Sequence, residues 1–538
     1  MIIFIKLANS GITKTQHNHV FFDCDQIEVE CLISMLQTSK SSGPWSIPVN
    51  VLHLLKKDIS LPLSKIFNLS MKTGTHPDCL KLAKVIPIHK KGSKLEVGNY
   101  RPISLLSNIN KLLEKIVHER CYNFLEKFNC LYKYQFGFRK SHSTNHALIE
   151  ITEKIRKALD SRKFACGIFV DLQKAFDTVN HEILLKKLEH YGLRNMTNSW
   201  FKSYLNNRKQ LVSLNGVDSE TQIMQHGVPQ GSVLGPLLFL IYINDLHDSI
   251  LYSLPYHFAD DTNLLIISNS PKKVQKQLNI DLKLLYNWLL ANKISLNSKK
   301  TEMIIFQKPG SRLNWTWNIR LNGYKLTPSD QIKYLGLYLD KYLNGHYQTK
   351  LVMQTLARSL GMLSKVRHYV SKIELKNIYH AIFESHLRYG CQIWYQFGTQ
   401  TTRAKIDKLQ KKALRIMSFS DFRDPSSPLF KDWKILKMKD LVEMQNCLLC
   451  HSFLTGKLPK SFKIFFQKCG EIHTIPTRLN MSACLYMPRV KSVTYGLNSI
   501  TNNCIHSWNK LTQILESPST LPLADIKNKM FNYYIDNY

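Results

Sequence analysis

The chain has 538 residues, 44% apolar and 21% charged, a balance that excludes a disordered or fibrous protein and suggests roughly three or four structural units. Lys and Arg total 73 against 39 Asp and Glu, a formal net charge of +34. Such an excess repels itself unless a polyanion screens it, and nucleic acid is the partner it implies. An anionic membrane surface would match the charge, but the sequence has no lipidation signal and no strongly amphipathic basic helix. No apolar run approaches the roughly 20 residues of a membrane span. The opening MIIFIK run is too short for a secretory signal and no small-residue cleavage site follows it. The chain is therefore expected inside the cell, in cytoplasm and nucleus, with its 12 cysteines reduced.

In chain order, residues 1–60 read as mostly helical after Asp23, interrupted by a turn at SSGPW, 41–45. A helix is predicted over 61–75, with Leu61, Ile66, Leu69 and Met71 as its apolar positions. AKVIPIHKKG (83–92) reads as a strand entering a basic turn, NYRPISLL (99–106) as a second extended piece, and 108–128 as a long amphipathic helix. KFACGIFVDL (163–172) is a buried strand in which Phe164, Cys166, Ile168 and Val170 alternate. A helix over 180–192, a hairpin pair around 211–227 and a buried helix over 235–246 follow. LPYHFADDTNLLIIS (254–268) reads as two strands joined at an acidic turn. The next helix carries a stripe from Val274 through Leu278, Leu282 and Leu285 to Leu289, and TEMIIF and IKYLGLYL are further strands. Beyond Asp340 the pattern turns helical, with a stripe from Val352 to Val370, a second helix over 372–397 and a basic one over 402–418. Residues 421–538 have weaker periodicity. Boundaries fall near 70, 340 and 420.

Paired carboxylates are the first chemical signal. Asp260 and Asp261 sit between two apolar strands and repel each other, so the tip either is a solvated turn or holds a cation. Asp171 also ends a buried strand. Three aspartates on adjacent strand ends would suit two hard divalent ions, the arrangement for in-line phosphoryl displacement. HGVPQGSVLGP (226–236) reads as a tight turn opening a helix, with backbone N–H groups free to meet a nucleotide.

AKVIPIHKKG, NYRPISLLSNINKLLEKI, YQFGFRKSHST, FVDLQKAFDTVNHEIL, GVPQGSVLGPLLFLIYINDL, FADD, ISLNSKKTEMIIF and KYLGLYLD occur in one order over roughly 80–340. Together they resemble the reverse transcriptases of non-LTR retrotransposons of the jockey type, and HLRYGCQIWY (386–395) extends the likeness more weakly. The resemblance implies an α+β right-hand polymerase: an N-terminal helical extension (1–69), fingers and palm (70–340), a helical thumb (341–420) and a mainly helical C-terminal segment of unknown role (421–538). It implies an RNA-directed DNA polymerase that takes an RNA template, a DNA primer or target and dNTPs, with no membrane partner. Asp171, Asp260 and Asp261 would hold two Mg2+ ions, with Mn2+ as an alternative. Phe176 would sit at the steric gate that excludes a ribose 2′-OH. Gln230 and Gly231 would meet the incoming nucleotide and templating base, Arg101 and Lys90 the triphosphate. Lys300 would protonate the leaving pyrophosphate, and Leu335 and Gly336 fall in the primer-grip turn. Asp177 reads as structural, capping the following helix or bonding locally, and Asp245 as a helix-end residue.

Arg403, Lys405, Lys408, Lys411, Lys412 and Arg415 lie on one helix, either a solvated face or a track for a phosphate backbone. Cys447, Cys450, His451, Cys469 and His473 are the residue types of a terminal zinc knuckle. The 18 residues between Cys450 and Cys469 are wide for one, and the first two cysteines read as core. The resemblance also leads one to expect an endonuclease ahead of the polymerase. The roughly 70 residues before the fingers are too few to hold one, so the nick would come from an endonuclease in trans. The rival readings are a catalytically inactive relic that only binds nucleic acid, and a group II intron maturase. Intact acids, gate and finger cations point away from the first, and FADD with GVPQGSVLGP away from the second.

Overall fold

The computed structural model describes residues 14–39, 41–44, 46–311, 315–472, 484–515 and 518–538, so Trp45 and His473 lie outside the described residues. Strands β1 (Leu82–His89), β2 (Tyr100–Leu105), β3 (Phe164–Val170) and β4 (Leu172–Gln173) come first. β5 (Lys209–Leu214), β6 (Val217–Asp218), β7 (Gln222–Ile223), β8 (Leu254–Phe258) and β9 (Asp261–Ser268) follow. β10 (Ser295–Leu296), β11 (Glu302–Phe306), β12 (Ile319–Leu321), β13 (Tyr324–Leu326), β14 (Pro328–Ser329), β15 (Gln331–Tyr334) and β16 (Leu337–Asp340) complete the set.

Two sheets organise the first 340 residues. One runs β2-β1-β5-β6, with β7 also on β5; the other runs β14-β11-β3-β9-β8. β3 is buried along its whole length. Cys166, Ile168 and Val170 enter a core shared with the N-terminal helices, while Ala165 and Phe169 on the opposite face enter a second core shared with the C-terminal half. The alternation seen in the sequence is therefore one face of a strand buried on both. Truncating Ile168 to Ala would cost about 2–5 kcal/mol by emptying such a site.

Helices fill both sides, and their starts are legible. Ser107, Ser143, Asn180 and Ser270 each accept a hydrogen bond from a first-turn N–H. Asn180, not Asp177, thus caps the helix His181–His190. The helix Lys56–Thr73 exists where one was expected, but on a different face. Leu61, Ile66 and Leu69 are exposed, while Phe67, Met71 and three serines are buried. The serines escape the usual penalty for burying a hydroxyl: Ser60 and Ser64 bond helix carbonyls, and Ser70 donates to Thr75 O.

After β16 the chain is helical, through His346–Val366 and Gln400–Ser418. The helix expected over 372–397 is broken. It runs Lys372–Tyr379, continues as a wider turn over His380–Glu384 and as Ser385–Arg388, then stops at Tyr389 and left-handed Gly390 before Cys391–Phe397. The C-terminal segment is joined to the centre of the molecule. Glu153, buried on Thr144–Asp160, accepts from the N–H groups of Ile500 (2.7 Å) and Thr501 (3.2 Å) and so caps the helix Ile500–Ile514. Arg156 donates to Thr494 O and Leu343 O. Among the described residues no helix is long and apolar enough to cross a membrane.

Candidate active site

β3 and β9 are antiparallel with Val170 opposite Thr262, and β8 and β9 close with Phe258 opposite Asp261. Asp171 is therefore one residue beyond the last pair of β3, and Asp261 one residue before its partner. Ala259 and Asp260 form the two-residue turn between β8 and β9. The register alone brings the three carboxylates to one edge of the sheet. Asp171 is fixed from its other side, where its carbonyl accepts from Asn297 N at 3.0 Å beside the β4–β10 pair.

The carboxylates act on one another. Burial raises Asp260 above the ordinary carboxylate range; the charge of Asp171 adds to this, and Lys90 and Arg101 oppose it. Asp261 is exposed on its own surface, yet the surrounding protein desolvates it, and with the charges of Asp260 and Asp171 this pushes it up to about 6. The two cations stand together because β1 and β2 pair Ile88 with Arg101, and Lys90 N donates to Asn99 O just beyond that ladder. Both are exposed. An all-carboxylate donor set fits a hard divalent cation. Among the described residues no three acid, histidine or thiol groups stand close enough to hold a metal ion.

The surroundings of Phe176 are built from two loops. Phe176 is half-buried, stacked on Phe239 at 4.5 Å, and meets Phe138 edge-on at 6.1 Å. Its carbonyl accepts from Val228 N, and Gly227 N donates to Val179 O, so the 226–231 loop lies along 176–179. Gln230 donates through Nε2 to Asp177 Oδ1 at 3.0 Å and through its carbonyl receives Ser104 N. A Cβ on Gly231 (φ 125°) would lie 2.4 Å from Ser104 O, so glycine is required there. Asp177 thus bonds locally; desolvation raises its carboxyl and the Gln230 amide opposes the rise. Behind the loop, buried Glu114 accepts from Val233 N (2.6 Å) and Leu234 N (3.2 Å) at the start of the helix Leu234–Ile243. Asp245 is paired with Lys187 at 2.6 Å in the core, where burial lowers the lysine.

Lys300 is exposed in the turn after β10. Leu335 (φ 44°) and Gly336 (φ 85°) form the turn between β15 and β16, the geometry of a two-residue hairpin with both central residues left-handed. Tyr389 OH donates to Leu335 O, and its ring lies 3.4 Å from where a Gly336 Cβ would stand. On the basic helix, Arg403 and Arg415 donate to backbone carbonyls of Tyr395 and Asp424, while Lys405, Lys408, Lys411 and Lys412 are exposed. Cys447 and Cys450 are fully buried on Met438–Leu454, and burial pushes both thiols well up.

Sequence reasoning did not assign Gln135, Gly137, Glu114 or Tyr389. The glycines beside two of them are the signals that could have found them: one inside YQFGF, one interrupting an otherwise helical run at Tyr389-Gly390.

Residues 88–339 match the family described as reverse transcriptase (RNA-dependent DNA polymerase). The chain carries a reverse transcriptase domain over these residues. Its mixed α+β architecture and the order of its motifs accord with that domain. The RNA-directed DNA polymerase from mobile element jockey of Drosophila melanogaster is 29% identical over 430 residues, 77% of this chain and 46% of that protein. The probable RNA-directed DNA polymerase from transposon BS of the same organism is 30% identical over 434 residues, 77% and 47%. That from transposon X-element is 29% identical over 439 residues, 78% and 46%. These are non-LTR elements, the type that the motifs resemble. The chain spans about half the length of the curated relatives it matches. Among solved structures, a telomerase from Candida albicans in complex with a fragment of telomeric RNA covers 68% of this chain and 62% of that chain, at a TM-score of 0.35 and 14% identity. Reverse transcriptases as a family use divalent metal ions.

Proposed function

We propose that this chain extends a DNA 3′-OH on an RNA template by two-metal nucleotidyl transfer, as part of a non-LTR retrotransposon's copying machinery in cytoplasm and nucleus. The observation that carries the reading is the sheet edge to which the strand register brings Asp171, Asp260 and Asp261, with Lys90 and Arg101 opposing the rise of Asp260. Asp171, Asp260 and Asp261 would hold magnesium or manganese ions. Such ions, when bound, stabilise charge on the attacking and leaving oxygens. Arg101 and Lys90 neutralise and orient the triphosphate, and Lys300 supplies a proton to the pyrophosphate. Phe176, packed on Phe239, bars a 2′-OH. Gln230 and Gly231 position the incoming nucleotide and templating base. Leu335 and Gly336 hold the primer strand. The exposed lysines of Gln400–Ser418 follow the heteroduplex backbone, with 1–69, 70–340, 341–420 and 421–538 as the working division of the chain.

Primer extension on poly(rA)·oligo(dT) with magnesium tests this. The chain extends the primer and Asp260→Asn does not. Heteroduplex binding without extension would identify a binding protein only. The gate is tested by Phe176→Val, which raises ribonucleotide over deoxynucleotide incorporation by about tenfold or more. An unchanged ratio makes Phe176 ordinary core.

A further inference from the structure

The turn that carries Asp260 is under two loads. Ala259 stands at φ 55°, a left-handed conformation that a residue with a Cβ adopts at a cost. The charges of Asp260 and Asp171 act against that of Asp261 beside it. Something outside the hairpin must hold the turn in shape.

The segment Tyr134–Phe138 lies against β8, which gives it that position. Phe136 N donates to His257 O (2.8 Å) and His257 N to Tyr134 O (3.0 Å), so the segment is hydrogen-bonded along the strand up to the turn. At the turn the pattern changes from backbone to side chain. Gln135, only 3% exposed, directs Oε1 at two N–H groups: Gly137 N at 2.9 Å and Ala259 N at 3.1 Å. One oxygen thereby joins the strap to the first residue of the acidic turn. The approach is so close that a Cβ on Gly137 would lie 2.2 Å from Ala259 N. The strap is itself anchored: Tyr132 N donates to Asn244 Oδ1, and Arg139 pairs with Glu126 through two nitrogens.

We propose that Gln135 is a positioning residue for the metal-binding carboxylates: its buried side-chain oxygen fixes the Ala259 peptide, and through it the place of Asp260. This rests on the reading of Asp171, Asp260 and Asp261 as metal ligands. A partner that orients ligands from behind commonly sets metal affinity by about 10–100-fold. The acceptor oxygen is the functional part, so length and apolar packing alone do not replace it. Gln135→Met keeps the length and loses the acceptor; Gln135→Glu keeps both.

Two measurements on the full chain test it. The first is Mn2+ binding followed by electron paramagnetic resonance. Gln135→Met should weaken binding by about tenfold, while Gln135→Glu stays within about threefold. Unchanged binding in Gln135→Met, or equal loss in both variants, overturns the proposal, the latter because the acceptor that Gln135→Glu keeps would then not be the part that matters. The second is hydrogen exchange at the Ala259 amide, which needs no metal. It should quicken in Gln135→Met and not in Gln135→Glu, and unchanged exchange in Gln135→Met overturns the proposal. If wild type and Asp260→Asn bind Mn2+ alike, the reading of the acids fails. The exchange result then decides by itself whether Gln135 holds the turn.

Discussion

Two hairpins carry the proposed chemistry and the proposed grip, and they are secured in opposite ways. The β8–β9 turn, Ala259-Asp260, is backed by a buried glutamine and by a glycine whose missing Cβ lets a second backbone touch it. The β15–β16 turn, Leu335-Gly336, rests on one phenol, that of Tyr389, a residue 38% exposed. The first carries charges that push apart, and a loosely held turn would let them. The second carries no carboxylate, and its hairpin geometry is satisfied by its own two left-handed residues. Where electrostatics strains a turn, the support is buried and doubled; where it does not, one solvent-facing hydrogen bond serves.

The largest break in this comparison comes from charge. Asp260→Asn should reduce extension by roughly 10³-fold or more, since a lost ligand removes several kcal/mol of transition-state stabilisation. Folding should survive, because neutralising one of three mutually repelling acids relieves the site. Extension assays with thermal melts check both parts, and near-wild-type extension would refute the assignment. At the other hairpin, Tyr389→Phe removes one hydrogen bond worth about 1 kcal/mol, so primer–template Kd should rise roughly fivefold. The single-turnover rate of bound primer should hold. A fall in that rate with unchanged Kd would show that Tyr389 acts on the acidic edge instead.

Backbone substitutions sharpen the contrast with smaller effects. Ala259→Gly relieves a left-handed alanine and should stabilise the chain by up to about 1 kcal/mol, whereas Gly336→Ala (φ 85°) should destabilise it by about 1 kcal/mol. Denaturant titrations that gave both the same sign would mean the turns are not strained as described.

The smallest effect is a pH dependence. Asp261 titrates at about 6 in the folded chain against an ordinary 3.8. The folded state thus binds that proton more tightly than the unfolded state does. The ionised carboxylate burdens the fold above about pH 6, and the burden fades as pH falls toward about 4. Asp261→Asn should therefore raise the melting temperature of metal-free protein at about pH 7.5, with the gain vanishing near pH 4. Substitutions at Leu335-Gly336, where no carboxylate sits, should keep a constant offset over the same range. A pH-independent gain for Asp261→Asn would show that its origin is not electrostatic.

Much of this could be read along the chain. Strand alternation located β3, and the break from apolar to acidic residues located Asp171 and the 260–261 tip. Apolar periodicity located most helices, whereas the cap of His181–His190 is Asn180 and not Asp177. The lysine-rich face on Gln400–Ser418 was also visible, but not that Arg403 and Arg415 on the same helix are tied to carbonyls. Composition could not say which face of Lys56–Thr73 turns inward, because buried serines satisfied by backbone carbonyls look polar in sequence. Nor could periodicity show that the run from 372 to 397 breaks at Tyr389, since that break is fixed by packing: a Cβ on Gly390 would lie 2.4 Å from a Leu337 methyl.

The sequence by itself determined the order of the elements, the acids at strand ends, the net charge and the family. Each is a local pattern or a sum, and period, capping and composition need no knowledge of partners. Only the tertiary structure decided what holds the two turns. Gln135 meets Ala259 across 124 residues and Tyr389 meets Leu335 across 54. A hydrogen bond between residues so far apart leaves no periodic trace at either end, because its geometry exists only after the sheet and helices have packed.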